Sequence, residues 1–339
     1  MRRFVHLDAL RGIAIMLMTV DHAYDWWVAK DDRATAVWQA AHYLGFLAAP
    51  VFLYLVGVGL ALSSARAAAR GESWRSVALH MLRRGTALVA VGYLLNLVVY
   101  FVGDNVADIF AVDILQIIGV AIWLSIPLLW APPLLLLAFL SAASCVGQTA
   151  GLWALPDAVA AYVTGNGGIG YFPLAVWLPF VWIGLLVGRW TCQQADMGWR
   201  MAALAGVGLG LFGLTAFVDS SWGYRHPRPA FVLFSVSVAF WLTAGLWLWT
   251  GKWARDGQVV RALSELGRSS LMLYVLHHLI GYRLFSLLGW VNGRSWRGQY
   301  GTLTLLPASG LFVALVAVMV LSSRWWCRRR PGLILARTR

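Results

Sequence analysis

Charge is what this 339-residue chain lacks. Only 12% of its residues are Asp, Glu, Lys or Arg, about half the share found in an ordinary soluble domain. Hydrophobic residues make up 60% of it, and the mean hydropathy is +0.70. Those values exclude a water-soluble globular protein. Acidic groups are the scarcer sign, 14 against 27 Lys and Arg. The three cysteines, Cys145, Cys192 and Cys327, are few, odd in number and far apart, which excludes a disulfide frame and a CxxC metal site. The opening "MRRFVHLDALRG" has a short basic start but no small-residue cleavage site, so it reads as the lead of a retained span. No internal repeat, low-complexity linker or soluble domain is visible.

What the chain does have is apolar runs of about 20 residues, the length that crosses ~30 Å of hydrocarbon. They fall near 8–29, 36–63, 78–101, 111–130, 132–151, 172–190, 199–218, 229–250, 268–291 and 303–325. The expected fold is all-α: a single polytopic membrane domain over 1–339, with about ten transmembrane helices around a central tunnel. Polar, basic breaks separate the runs at "RAAARGESWRS", "RWTCQQADMGWR" and "GKWARDGQVVRALSELGR", and "WAPP" turns the chain where proline cannot continue a helix. With a cytoplasmic N-terminus, the loops on that side and the two termini hold 19 of the 27 Lys and Arg. The opposite loops hold six: Lys30, Arg33, Arg225, Arg228, Arg294 and Arg297. That asymmetry is the positive-inside pattern. It predicts a multi-pass protein of the cell (inner) membrane with both termini cytoplasmic, and residues 326–339 as a basic tail near anionic lipid. The net charge of +13 therefore reflects topology, and nucleic acid is not an expected partner. The longest outside segment, 151–173, has a Gly/Asn-rich centre around Gly167, suited to a loop over a cavity.

The first span, "LDALRGIAIMLMTVDHAYDWW", keeps Asp8, Arg11, Asp21, His22 and Asp25 in an otherwise apolar helix, and each such group is costly in hydrocarbon. Arg11 and His22 are eleven residues apart, three helical turns, so they share a face about 16 Å apart along the axis. Asp25 lies one turn past His22, close enough to hold its imidazole in one tautomer, and Asp21 is its direct neighbour. A histidine at that depth beside a carboxylate suits acid–base chemistry or a proton relay. His42 opens the second span; His277 and His278 lie inside the ninth; Asp113 and Gln116 lie in the fourth. The plainer readings are that Arg11, Arg83 and Arg84 snorkel to headgroups, that Asp8–Arg11 is only a structural ion pair, and that His277 or His278 is a satisfied core histidine.

These residues resemble a known family. "LDALRGIAIMLMTVDH" is similar to the first span of integral-membrane acyltransferases, with Arg-Gly followed by a histidine eleven residues after the arginine. "HYLGFLAAPVFLYLVGVGLALS", "DILQIIGVA", "YFPLAVWLPFVWIGLLVGRW" and "LGRSSLMLYVLHHL" narrow the resemblance to bacterial members of the heparan-α-glucosaminide N-acetyltransferase-like family, over about 4–290. The resemblance implies acetyl transfer from cytoplasmic acetyl-CoA to an amino sugar or glycan on the far side, without a metal cofactor. A homodimer is compatible with it. Arg11, Arg83 and Arg84 would then hold the CoA phosphates. His22 would be the general base, oriented by Asp25 or Asp21, or a nucleophile that carries the acetyl group. The family's active-site histidine falls in the loop after the first span, where this chain has none, so His42 stands beside His22 as a candidate base. Gln116, Asn96, Tyr274 and His277 are candidate donors to the thioester oxyanion. The alternatives are O-acylation of an envelope polysaccharide and, from another class, a proton-coupled transporter.

Overall fold

The computed structural model describes residues 4–100, 109–149, 156–163, 171–192, 196–218, 229–252, 257–291 and 300–329. Gly167 with its Gly/Asn-rich surroundings, the outside arginines Arg225, Arg228, Arg294 and Arg297, and the tail from 330 lie outside the described residues.

In chain order the helices are α1 (Val5–Trp27), α2 (Ala36–Gly45), α3 (Ala48–Ala69), α4 (Trp74–Tyr100), α5 (Ile114–Ser125), α6 (Pro133–Thr149) and α7 (Asp157–Val163). They continue with α8 (Leu174–Cys192), α9 (Met197–Leu214), α10 (Pro229–Lys252), α11 (Gln258–Arg268), α12 (Ser270–His277), α13 (Phe285–Val291) and α14 (Leu305–Arg329). Each expected apolar run is helical, and the fold is all-α. Among the described residues, six stretches are both long and apolar enough to cross a membrane; α1 has the length, 23 residues, but carries charge. Large apolar side chains face outward, with Leu134, Leu306 and Phe217 at least 80% exposed, while Gln116, His277 and Ser286 are buried. That arrangement suits a surface wetted by lipid.

Two expected spans are interrupted. The second breaks at Phe46 and Leu47, between α2 and α3. Pro50 sits in the first turn of α3, where its missing N–H is harmless but its ring would clash with the Phe46 carbonyl if the helix ran on. The ninth is divided into α12, a π-helical turn over His278–Leu284, and α13. The segment expected as a basic break, 251–268, contains α11.

The described residues fall into two compact units, divided within α3 and α10 near Ala49 and Leu242. In the terminal unit, α11 lies against α1 with backbone almost touching backbone. A Cβ on Gly12 would run into the Leu263 carbonyl, and one on Gly267 into the Asp8 carbonyl. α14 adds polar contacts from its side: the Thr19 hydroxyl, which donates to the Ile15 carbonyl at 2.8 Å, lies 3.6 Å from Met319 Sδ, and the Tyr24 and Ser309 hydroxyls meet at 2.9 Å. The end of α1 is tied to the approach to α14, where Leu303 N–H donates to the Trp27 carbonyl and Ala29 N–H to the Leu303 carbonyl, at 2.9 and 2.8 Å. Asp32 then caps α14 by accepting the Leu305 N–H at 2.8 Å.

In the central unit, Gly57 and Gly184 bring α3 and α8 equally close, the Gly184 Cβ position falling on the Tyr54 carbonyl. Trp123 Nε1 donates to the Leu82 carbonyl between α5 and α4, and Trp241 Nε1 to the Ala205 carbonyl between α10 and α9, both at 3.1 Å.

Adding one methyl separates these contacts from open helix faces. Gly267→Ala should lower the thermal midpoint in detergent, since overpacking costs ~1–3 kcal/mol. Gly59→Ala, with nothing within 4 Å of its Cβ position, should leave it unchanged or raise it. Equal midpoints for the two variants would contradict the α1–α11 contact.

Candidate active site

The ionisable groups of α1 find their partners either within the helix or on other elements of the terminal unit. Near its start, Arg11 Nη1 lies 3.4 Å from Asp8 Oδ1, with 29% and 15% of their side chains exposed. This is the i, i+3 pair that the spacing predicts.

At the other end, the chain leaves α1, turns through a short 3-10 segment (Lys30–Ala34) and returns as α2. Thr35 starts α2 by accepting the Trp38 N–H at 3.4 Å. The return path lays α2 on α1 at Asp21, where Gly45 makes the room: a Cβ there would overlap the Asp21 side chain. His42, one turn earlier on α2, then places Nδ1 3.1 Å from Asp21 Oδ1. A carboxylate only accepts, so Nδ1 carries the proton and Nε2 of the neutral imidazole keeps its lone pair. Trp38 stacks on the ring at 4.5 Å between centroids, and Phe46 meets it edge-on at 4.3 Å. The pair is only partly covered, with 28% of the His42 side chain exposed. An oriented, carboxylate-backed imidazole that is partly exposed can take a proton, and the carboxylate stabilises the resulting cation.

His22 meets other imidazoles. Its Nδ1 is 3.0 Å from His277 Nε2. His277 Nδ1–H donates to the Leu273 carbonyl at 3.0 Å, and His278 Nδ1–H to the Tyr274 carbonyl at 3.1 Å. In the neutral state His277 Nε2 therefore accepts and His22 Nδ1–H donates. The Tyr274 ring packs on His278 at 4.5 Å between centroids.

Asp25 does not orient His22, contrary to the expectation from spacing. Arg33, reaching back from the 3-10 segment, donates Nη1 to Asp25 Oδ1 at 3.1 Å and Nη2 to the Asp25 carbonyl at 2.7 Å. Half of the Asp25 side chain is exposed. Arg33 had no signal in the sequence, because the register of the turn that returns it to α1 is not encoded in any periodicity. Gly45 gave none either: its value lies in what it faces.

The remaining candidates belong to the central unit. Arg83 and Arg84 are exposed on α4. Asn96 donates from Nδ2 to the Ala111 and Ile109 carbonyls at 2.7 and 3.2 Å, so both amide hydrogens already hold backbone in place. Gln116 is buried, with Nε2 directed at the Ala111 carbonyl and Oε1 without a hydrogen-bond partner. Asp113 caps α5 through the Ile114 N–H at 2.6 Å.

The family model described as heparan-α-glucosaminide N-acetyltransferase, catalytic, matches residues 3–217. The chain belongs to that family. It is accordingly a transmembrane acyltransferase. The match includes both members of the His42–Asp21 pair and His22, and ends before Tyr274, His277 and His278. No curated protein matches the chain.

Acyl transfer by this family member should respond to geometry at Asp21 more than to charge at Asp25. Gly45→Ala, which wedges α2 away from α1, should lower the rate by about 10- to 100-fold. Asp25→Asn, which removes one exposed ion pair of small energetic value, should change it less than about threefold. The reverse order would show that the His42–Asp21 contact is not the one used.

Proposed function

We propose that this chain transfers the acetyl group of acetyl-CoA to an amino sugar or related glycan across the membrane, with His42 as the general base and Asp21 as its partner. The observation that carries this reading is the 3.1 Å contact between His42 Nδ1 and Asp21 Oδ1 on a partly open imidazole. A general base becomes cationic when it works, and that cation is stabilised by a carboxylate. His42 has one. His22 has imidazole neighbours instead, which give a second positive charge no such support.

In the proposed reaction, the acceptor's amine or hydroxyl attacks the thioester carbonyl carbon while His42 Nε2 removes its proton. Asp21 holds Nδ1–H and stabilises the imidazolium. As the tetrahedral intermediate collapses, the C–S bond breaks and the imidazolium returns the proton to the leaving CoA thiolate. The new bond is an amide for an amino sugar and an ester for a hydroxyl; the same base serves both.

The donor's phosphates are assigned to Arg11, ten residues before Asp21 on α1 and about 15 Å from it along the axis. An extended pantetheine arm is comparable in length, so the thioester reaches the outer half of α1 while the nucleotide stays at its start. Arg83 and Arg84, exposed on α4, are alternative candidates for that role. The excess of Lys and Arg on one set of loops supports placing both termini and the donor on the cytoplasmic side of the inner membrane.

The test is CoA release from acetyl-CoA with glucosamine as acceptor, in detergent. His42→Ala should lower turnover by about 10²–10⁴-fold while retaining CoA binding. Near-normal turnover in His42→Ala, together with loss in His22→Ala, would move the base to His22. Arg11→Ala should raise the Michaelis constant for acetyl-CoA at least tenfold, as expected for loss of a charge-assisted contact. An unchanged constant in a folded variant would leave Arg11 as the structural partner of Asp8.

A further inference from the structure

The proposed acid–base chemistry uses His42 and leaves a cluster of three other histidines unexplained. His22, on α1, and His277 and His278, where α12 passes into its π-helical turn, each bring one potential ligand nitrogen within 4.8 Å of the other two. Buried imidazoles are ordinarily satisfied one at a time, by a carbonyl, a carboxylate or water. Two of these three already have such a bond. The carbonyls of Leu273 and Tyr274 take the Nδ1 protons of His277 and His278, and this fixes both rings with lone pairs on Nε2.

We propose that His22, His277 and His278 form a zinc-binding site. Histidines that ligate zinc almost always donate their other ring N–H to a carbonyl or carboxylate, which sets tautomer and orientation before the metal arrives. His277 and His278 are held in that way. His22 Nδ1 and His277 Nε2 are 3.0 Å apart, near the ~3.3 Å expected for two nitrogens on one tetrahedral zinc with bonds of 2.0–2.1 Å. A proton bridges only two of the three nitrogens, whereas one cation accepts lone pairs from all three. Binding through His22 Nδ1 needs no net proton loss, because its N–H moves to Nε2.

The local fold supports the same reading. π-Helical turns inside helices concentrate at functional sites, and this one begins at His278, with the His277 and His278 rings 4.3 Å apart between centroids. Trp26 walls the cluster, its ring centroid 4.9 Å from His22 and 5.3 Å from His278. Its place depends on Gly281, whose Cβ would stand 2.9 Å from the Trp26 ring. Three neutral imidazoles with no carboxylate among them suit zinc or a neighbouring transition metal, and do not suit calcium or magnesium, which prefer oxygen. Three protein ligands also leave the fourth tetrahedral position for water or another oxygen donor.

The test uses the full chain, purified without a polyhistidine tag, incubated with an equimolar amount of zinc chloride and desalted before elemental analysis. Wild type should retain about one zinc per chain, and His42→Gln should retain the same. His22→Gln and His277→Gln, each eluting as a monodisperse peak, should bind zinc at least tenfold more weakly, the low end of what removing a ligand or its support costs. Cobalt added to wild-type protein should give the intense visible absorption of a tetrahedral site, a readout needing no variant. A wild-type chain that neither retains zinc nor shows that absorption overturns the proposal, and so does equal retention by wild type and both ligand variants. Failure here leaves the His42–Asp21 assignment untouched, since the zinc measurement involves no acyl transfer.

Discussion

An ionisable side chain in hydrocarbon must find a partner or lose its charge, at a cost of several kcal/mol otherwise, and α1 carries Asp8, Arg11, Asp21, His22 and Asp25 in one span. The arrangement of the terminal unit follows from meeting that demand. Asp8 and Arg11 satisfy each other within the helix. The rest need other elements: Asp21 requires α2 to return close enough for His42, Asp25 requires the 3-10 segment to present Arg33, and His22 requires the end of α12. Each partner fixes an element that α1 could not position by apolar packing alone. The same contacts set the neutral tautomers of His42 and His22.

Glycine sets how closely the partners approach. Gly12 and Gly267 let α11 meet α1 backbone to backbone, and Gly45 leaves room for the Asp21 side chain against α2. Close backbone approach through small residues is how membrane helices gain packing energy when lipid offers no hydrophobic drive. Here it also brings a short polar side chain within reach of its partner. Two arrangements then start from neighbouring residues of α1: Asp21 with the His42 imidazole of α2, and His22 with the imidazoles of His277 and His278.

The apolar runs were readable because hydrocarbon thickness dictates their length, and each expected run is helical. The Asp8–Arg11 pair was readable because both members share a helix. The Asp21–His42 contact was not: it depends on the register of the turn that separates α1 from α2, which no periodicity specifies. Asp25 went to Arg33 instead of His22 for the same reason. The break at Phe46 did have a signal, in Pro50, and α11 had one in the spacing of Val260, Leu263 and Leu266, masked by the polar residues between them. The meeting of His22 with His277 links positions 255 residues apart. Only tertiary packing brings them together.

Sealed proteoliposomes, with acetyl-CoA outside and glucosamine trapped inside, test most directly whether this helix arrangement moves an acetyl group across a membrane. The account predicts N-acetylglucosamine inside and an equal amount of free CoA thiol outside, with no acetyl-CoA entering the lumen. Loss of trapped glucosamine to the outside without thiol release would make the protein a transporter and contradict it.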